Sequence, residues 1–151
     1  MNLTTKEQGL LKDLQSGEKL CTEKYQKAAA AACDPILQGM FTKIAGEEQG
    51  HYDTVTQMLS GIVPMPKSKQ QPETAQKPDL QSKADCAGQQ ADQYLLKDLL
   101  ATEKYIAGVY NVSVFEFSDE QARQVLNDIQ TQEQNHGKQL SDYMQANGMY
   151  C

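Results

Sequence analysis

The sequence predicts an all-α protein: a four-helix bundle built from two similar helix hairpins joined by a long crossover. Three observations predict it. Apolar residues recur at spacings of three and four over residues 4–61 and 92–148. Four of the five prolines (Pro64, Pro66, Pro72, Pro78) crowd into the stretch between. Sliding the chain against itself by 85 residues aligns fourteen identical positions without a gap. Leu10-Leu11-Lys12-Asp13-Leu14 falls on Leu95-Leu96-Lys97-Asp98-Leu99, and Glu18-Lys19 falls on Glu103-Lys104. Tyr25, Asp34 and Ile44 fall on Tyr110, Asp119 and Ile129. Glu48-Gln49 and His51 fall on Glu133-Gln134 and His136. This is a duplicated two-helix unit.

Each element has local signals. Thr4-x-x-Glu7 forms a capping box, which starts helix one, and the helix runs to about Ala32. Asp34-Pro35 restarts the chain as helix two, because Asp can cap and Pro suits the first helical position. Ser60-Gly61 ends it, with Gly free to turn left-handed. Residues 63–90 form the proline-rich crossover, since proline at that density forbids a continuous helix. Helix three is expected from about Asp92 to Phe117, and helix four from a Ser118-Asp119 cap to Asn147-Gly148. Links of two or three residues make each hairpin antiparallel. A long crossover between helices two and three is the arrangement of ferritin-like bundles. The expectation is one such domain over residues 1–151.

Composition bounds the function. The chain has 151 residues, a net charge of −6 and no basic run, so nucleic acid and anionic membrane surfaces are not expected partners. No apolar stretch approaches the roughly 20 residues of a membrane helix. The first residues lack a signal-peptide pattern, so cytoplasmic synthesis is expected. None of Cys21, Cys33, Cys86 and Cys151 sits in a C-x-x-C pair. Cys21 lies on an apolar stripe, and a terminal Cys151 is expected to be an exposed thiol. The oxidation states of Cys33, Cys86 and Cys151 are open.

The apolar stripes carry the chemistry. Helix one reads Leu11, Leu14, Glu18, Cys21, Tyr25, Ala28. Helix two reads Leu37, Phe41, Ile44, Glu48, His51, Val55, Met58, Ile62. Helix three reads Leu96, Leu99, Glu103, Ile106, Tyr110, and helix four Ala122, Leu126, Ile129, Glu133, His136, Leu140, Tyr143. Ionisable groups interrupt each stripe only near its middle. Four carboxylates in a dry core repel one another unless cations sit between them. One Glu from each of two helices, plus Glu-x-x-His from each of the other two, is the ligand set of dinuclear carboxylate bundles. Glu18, Glu48, His51, Glu103, Glu133 and His136 are therefore the expected metal ligands. Two divalent ions would neutralise the four carboxylates. Oxygen-rich ligation with one imidazole per ion suits iron or manganese and also accepts zinc. Glu48 and Glu133 are expected to bridge, with Glu18 and Glu103 terminal. The alternative is a hydrogen-bonded cluster without metal. Tyr25 and Tyr110 lie two turns beyond Glu18 and Glu103; their hydroxyls either bond a ligand carboxylate or find another partner in the core. Glu47 points about 100° from Glu48 and is expected at the surface. Glu23 and Glu116 are also off the stripe.

At these residues the sequence resembles the spore coat protein F family, the Coat F domain. The likeness runs through Leu10–Cys21, Glu47–Thr54, Thr102–Tyr105, Val114–Phe117 and Tyr143–Tyr150. The resemblance implies a fold of the ferritin and rubrerythrin group and deposition on a maturing spore. In relatives the six matching positions bind metal and support ferroxidase, peroxidase or catalase-type chemistry. No rubredoxin-like cysteine quartet and no fifth helix follow helix four, which argues against a built-in electron-transfer domain and a storage cage. Two functions stay open: a dimetal site reactive toward peroxide or oxygen, or a purely structural coat component with a stabilising or vestigial site. The 20 Gln and 7 Tyr suit the second. The expected partners are a second copy of the chain or other spore-coat proteins.

Overall fold

The computed structural model describes residues 1–65 and 78–149. Among them are four helices and no strand: α1 (Thr5–Ala31), α2 (Pro35–Leu59), α3 (Cys86–Glu116) and α4 (Glu120–Ala146). The expected caps are in place. Thr4 Oγ1 accepts from Glu7 N and Glu7 accepts from Thr4 N, closing the capping box. Asp34 caps α2 with Pro35 at its first turn, and Asp119 caps α4. Gly61 and Gly148 take left-handed backbone (φ 86° and 66°) just past α2 and α4.

One boundary differs. Helix three begins at Cys86, not near Asp92, because Asp85 accepts from Gly88 N and Gln89 folds back onto the Ala84 carbonyl. Asp92 lies fully buried inside α3. Its carboxylate accepts from the backbone N–H groups of Cys33 and Asp34, in the turn between α1 and α2. Tyr143 donates to Asp34 Oδ2 from α4, so one buried carboxylate pair ties that end of the bundle together.

Every neighbouring pair runs antiparallel. Gln15 of α1 meets Thr56 of α2, and Gln130 of α4 reaches the Ala107 carbonyl of α3. Tyr25 and Tyr110 reach across the α1–α3 face to Glu103 and Glu18. His51 and His136 pair with Gln132 and Glu47 across α2–α4. It follows that α2 and α3 are parallel. The chain leaves α2 beside Met1 and enters α3 beside Cys33, at opposite ends. The described ends of the connection therefore lie at opposite ends of the bundle. They lie against α4: Gln121 donates to the Val63 and Pro64 carbonyls, and Asn147 bonds Leu80 and Ser82. Pro66, Pro72 and Cys151 lie outside the described residues.

The stripes face inward as read, except Ile62, which falls beyond the end of α2 and is 60% exposed. The apolar core is split in two. One cluster gathers Tyr25, Phe41, Ile44, Leu99, Leu140 and Tyr143. The other gathers Leu11, Leu14, Met58, Ile106, Tyr110 and Leu126. A layer of carboxylates and imidazoles separates them. α1 and α3 approach closely there: a Cβ on Gly17 would sit 2.6 Å from Ile106 Cδ1.

Candidate metal centre

All six predicted ligands meet in that layer. Glu18 comes from α1, Glu48 and His51 from α2, Glu103 from α3, and Glu133 and His136 from α4. All are buried, with at most 5% of any of them exposed. Each Glu-x-x-His pair shares one helix face because three residues span about 300° of turn.

The histidines fix the direction of the site. His51 Nε2 points outward to Gln132 Oε1 at 2.5 Å, and His136 Nε2 to Glu47 Oε2 at 2.5 Å. Both partner atoms only accept, so each Nε2 carries the proton. In the neutral ring the lone pair is then on Nδ1, which faces the carboxylates. His51 Nδ1 lies 2.6 Å from Glu133 Oε1, and His136 Nδ1 lies 2.7 Å from Glu48 Oε1. Neither approach has hydrogen-bond geometry. The two rings stack with centroids 6.0 Å apart.

The tyrosines cross over between repeats. Tyr25 Oη donates to Glu103 Oε1 and Tyr110 Oη to Glu18 Oε1, each at 2.6 Å. Each terminal glutamate thus has one oxygen held and one free. Eight buried atoms here have no hydrogen-bond partner: Glu18 Oε2, Glu103 Oε2, both oxygens of Glu48 and of Glu133, and Nδ1 of each histidine. Buried polar atoms are rarely left so, and eight converging on one layer could hold a metal ion. They divide into two groups whose donor atoms lie within 4.8 Å of one another. One holds Glu18, Glu48, His51 and Glu133; the other holds Glu48, Glu103, Glu133 and His136. Glu48 and Glu133 belong to both.

Without metal, protons share the work of neutralisation. Burial, then the Glu48 charge, pushes the Glu18 carboxyl well up. Burial, then the contact with Glu103, pushes Glu133 well up too. Burial also opposes ionisation of Glu48, but His136 and Glu18 outweigh it and hold Glu48 down at about 2. Burial disfavours charge on His136, yet Glu103, Glu47 and Glu48 overcome this and raise it to about 11. Burial holds His51 below its usual value.

Two partners are absent from the sequence reading. Glu47, expected at the surface, is half-buried and bonds His136. Gln132 does the same for His51. The available signal was the repeat: Glu47 and Gln132 occupy equivalent positions, each one residue before a cluster glutamate.

Residues 91–150 match the Coat F domain. The match spans most of α3 and all of α4, including Glu103, Tyr110, Glu133 and His136. The first hairpin lies outside it and is joined to it by the internal repeat. No curated protein and no solved structure matches the chain. Among the described residues no helix is long and apolar enough to cross a membrane.

The tyrosine contacts give a direct expectation. Tyr25→Phe and Tyr110→Phe each release the held oxygen of a cluster glutamate. Each is expected to weaken metal binding about 10- to 100-fold, since groups that orient ligands matter nearly as much as the ligands. Competition titration against a metal-sensitive dye checks this; unchanged affinity would count against the ligand roles of Glu18 and Glu103.

Proposed function

We propose that the chain is a spore-coat-type protein with a ferritin-like fold, one domain over residues 1–151, holding two divalent ions between its helices. The observation that carries this is the set of eight unpartnered buried atoms in two overlapping groups. Glu18 and His51 would hold one ion, and Glu103 and His136 the other. Glu48 and Glu133 would bridge them. Iron or manganese fits this mixed oxygen and imidazole set, and zinc is also accommodated. A bound pair of redox-active ions supplies electron exchange with peroxide or oxygen.

The chain's residues do the rest. Tyr25 and Tyr110 orient the terminal carboxylates. Gln132 and Glu47 keep the proton on each Nε2, leaving Nδ1 free to ligate. The two apolar clusters exclude water from above and below the layer. His136 and Glu133 take up protons when the ions leave.

A structural coat component is the second reading, favoured by the exposed Tyr94 and Tyr105, which are open to cross-linking. Metal content after loading with Fe(II) or Mn(II), followed by peroxide consumption, separates the two. The proposal expects two ions per chain and consumption that Glu48→Ala with Glu133→Ala abolishes. Loaded protein that is inert toward peroxide and oxygen supports the structural reading. Metal content near zero overturns the site.

A further inference from the structure

The duplicated halves are not equivalent where they touch the histidines. Glu47 and Gln132 are repeat partners, 85 residues apart. Each accepts from the Nε2–H of the histidine across α2–α4 at the same 2.5 Å. One acceptor is a carboxylate and the other a neutral amide. An imidazole that donates to a carboxylate pushes more electron density onto its other nitrogen than one that donates to an amide. His136 Nδ1 is therefore the stronger donor, although the two ligand sets are otherwise alike.

We propose that the two ion positions differ in affinity, that the position of His136 and Glu103 fills first, and that Glu47 against Gln132 sets the difference. This rests on the dimetal reading above. Shared bridging carboxylates alone would make the second ion bind more weakly than the first, so two-step binding is not the test. The test is what the outer pair does to each step. With Co(II) as probe, Glu47→Gln is expected to weaken the first step about 10- to 100-fold, and Gln132→Glu to strengthen the second by a similar factor. In crystals given one equivalent of Co(II), anomalous density is expected beside His136 in the natural chain. In Gln132→Glu it should spread over both positions. A first ion beside His51, or a first step unmoved by Glu47→Gln in a variant with unchanged helicity, overturns the inference while leaving the dimetal site standing. No Co(II) binding in the natural chain overturns both.

A second observation stands apart from the site. Tyr94, Ala101, Tyr105, Gly108, Val112 and Phe115 fall on one outer face of α3, within about 100° of arc over about 31 Å. Tyr94, Tyr105 and Phe115 are each more than 70% exposed, and no described residue covers them. Two pairs of the stripe are symmetric, while Tyr105 and Val112 fall opposite Lys104 and Lys97. Tyr94 and Phe115 lie equally far from one midpoint, as do Ala101 and Gly108, and the space around Gly108 is open.

The geometry points to a second copy of this chain as the occupant, packed antiparallel about a two-fold axis. Aromatic ends would then meet aromatic ends, and the small residues would let the backbones approach. With Val112, the aromatics offer about 600 Å² per copy. The dimer would bury about 1,200 Å², the lower edge of what stable interfaces use. Sedimentation of the full chain is expected to show a dimer. Tyr105→Glu with Phe115→Glu should make it monomeric with unchanged helicity, while Ile62→Glu, off this face, should not. A natural chain that is monomeric at about 100 μM, or a dimer that survives Tyr105→Glu with Phe115→Glu, overturns this.

Discussion

Replacing Glu18, Glu48, Glu103 and Glu133 together by Gln is expected to leave the metal-free bundle at least as stable as the natural chain. Neutral amides keep acceptors for Tyr25 and Tyr110 and remove both the burial cost and the repulsion that push Glu18 and Glu133 up. Buried charge clusters replaced as a whole are neutral or stabilising in effect. Glu48→Gln alone should behave differently. Glu48 is the carboxylate held ionised, and it faces His136 at 2.7 Å. Its loss strips a buried imidazolium of a partner and should cost about 3–5 kcal/mol. Metal response separates the chains again. At 100 times the dissociation constant, each ion should stabilise the natural protein by about 2.7 kcal/mol. Two ions should then raise Tm by about 10–20 °C, at 2–4 °C per kcal/mol. The fourfold variant should show no rise. Scanning calorimetry with and without Mn(II) reads both effects; a large stability loss in the metal-free fourfold variant would contradict the account of the core charges.

Loading the site should release protons, about two per chain near neutral pH. In the metal-free protein Glu133 and His136 hold protons there, because their folded pKa values are raised, that of His136 to about 11. Ligation needs these groups deprotonated, so affinity should fall as pH falls. The same shifts set the pH dependence of metal-free stability. Groups with raised folded pKa bind more protons folded than unfolded, so their stabilisation is complete below the unfolded value and is lost as pH rises toward the folded one. Metal-free protein should accordingly lose stability from pH 7 to 10. At the acid end, the Glu48 contribution is lost as pH falls from 4.5 toward 2, and His51, held neutral when folded, costs stability as pH falls through 6.5. The loaded protein, its protons already gone, should be flat from pH 7 to 10. Calorimetry in buffers of different ionisation enthalpy counts the released protons. Release of none would contradict the charge states assigned here.

The six cluster residues were legible because each violates the stripe it sits on. A Glu between Leu14 and Cys21, or between Ile44 and Val55, has no place in a dry core without a cation or proton. The repeat turned single violations into a matched set. The crossover was legible from its prolines. The start of α3 was not, because Asp92 has the residue type of a cap and caps the turn after α1, 58 residues back, through tertiary contact. Asp85, the true cap, sits in a stretch without apolar periodicity. Glu47 was misplaced for a related reason. Its angle from Glu48 is correct, but the flank it occupies faces α4 rather than solvent. Which flank a neighbouring helix covers depends on packing, not on the helix's own pattern. The crossing of Tyr25 to Glu103 and Tyr110 to Glu18 follows from the antiparallel α1–α3 pairing and was likewise hidden in one-dimensional spacing.

Anomalous scattering from crystals of the Mn(II)-loaded full chain tests the central claim most directly. The account predicts two peaks about 3.5–4 Å apart, spanned by Glu48 and Glu133, one beside each histidine Nδ1. Loaded crystals without a peak in that layer, or with manganese only at surface carboxylates, would contradict it.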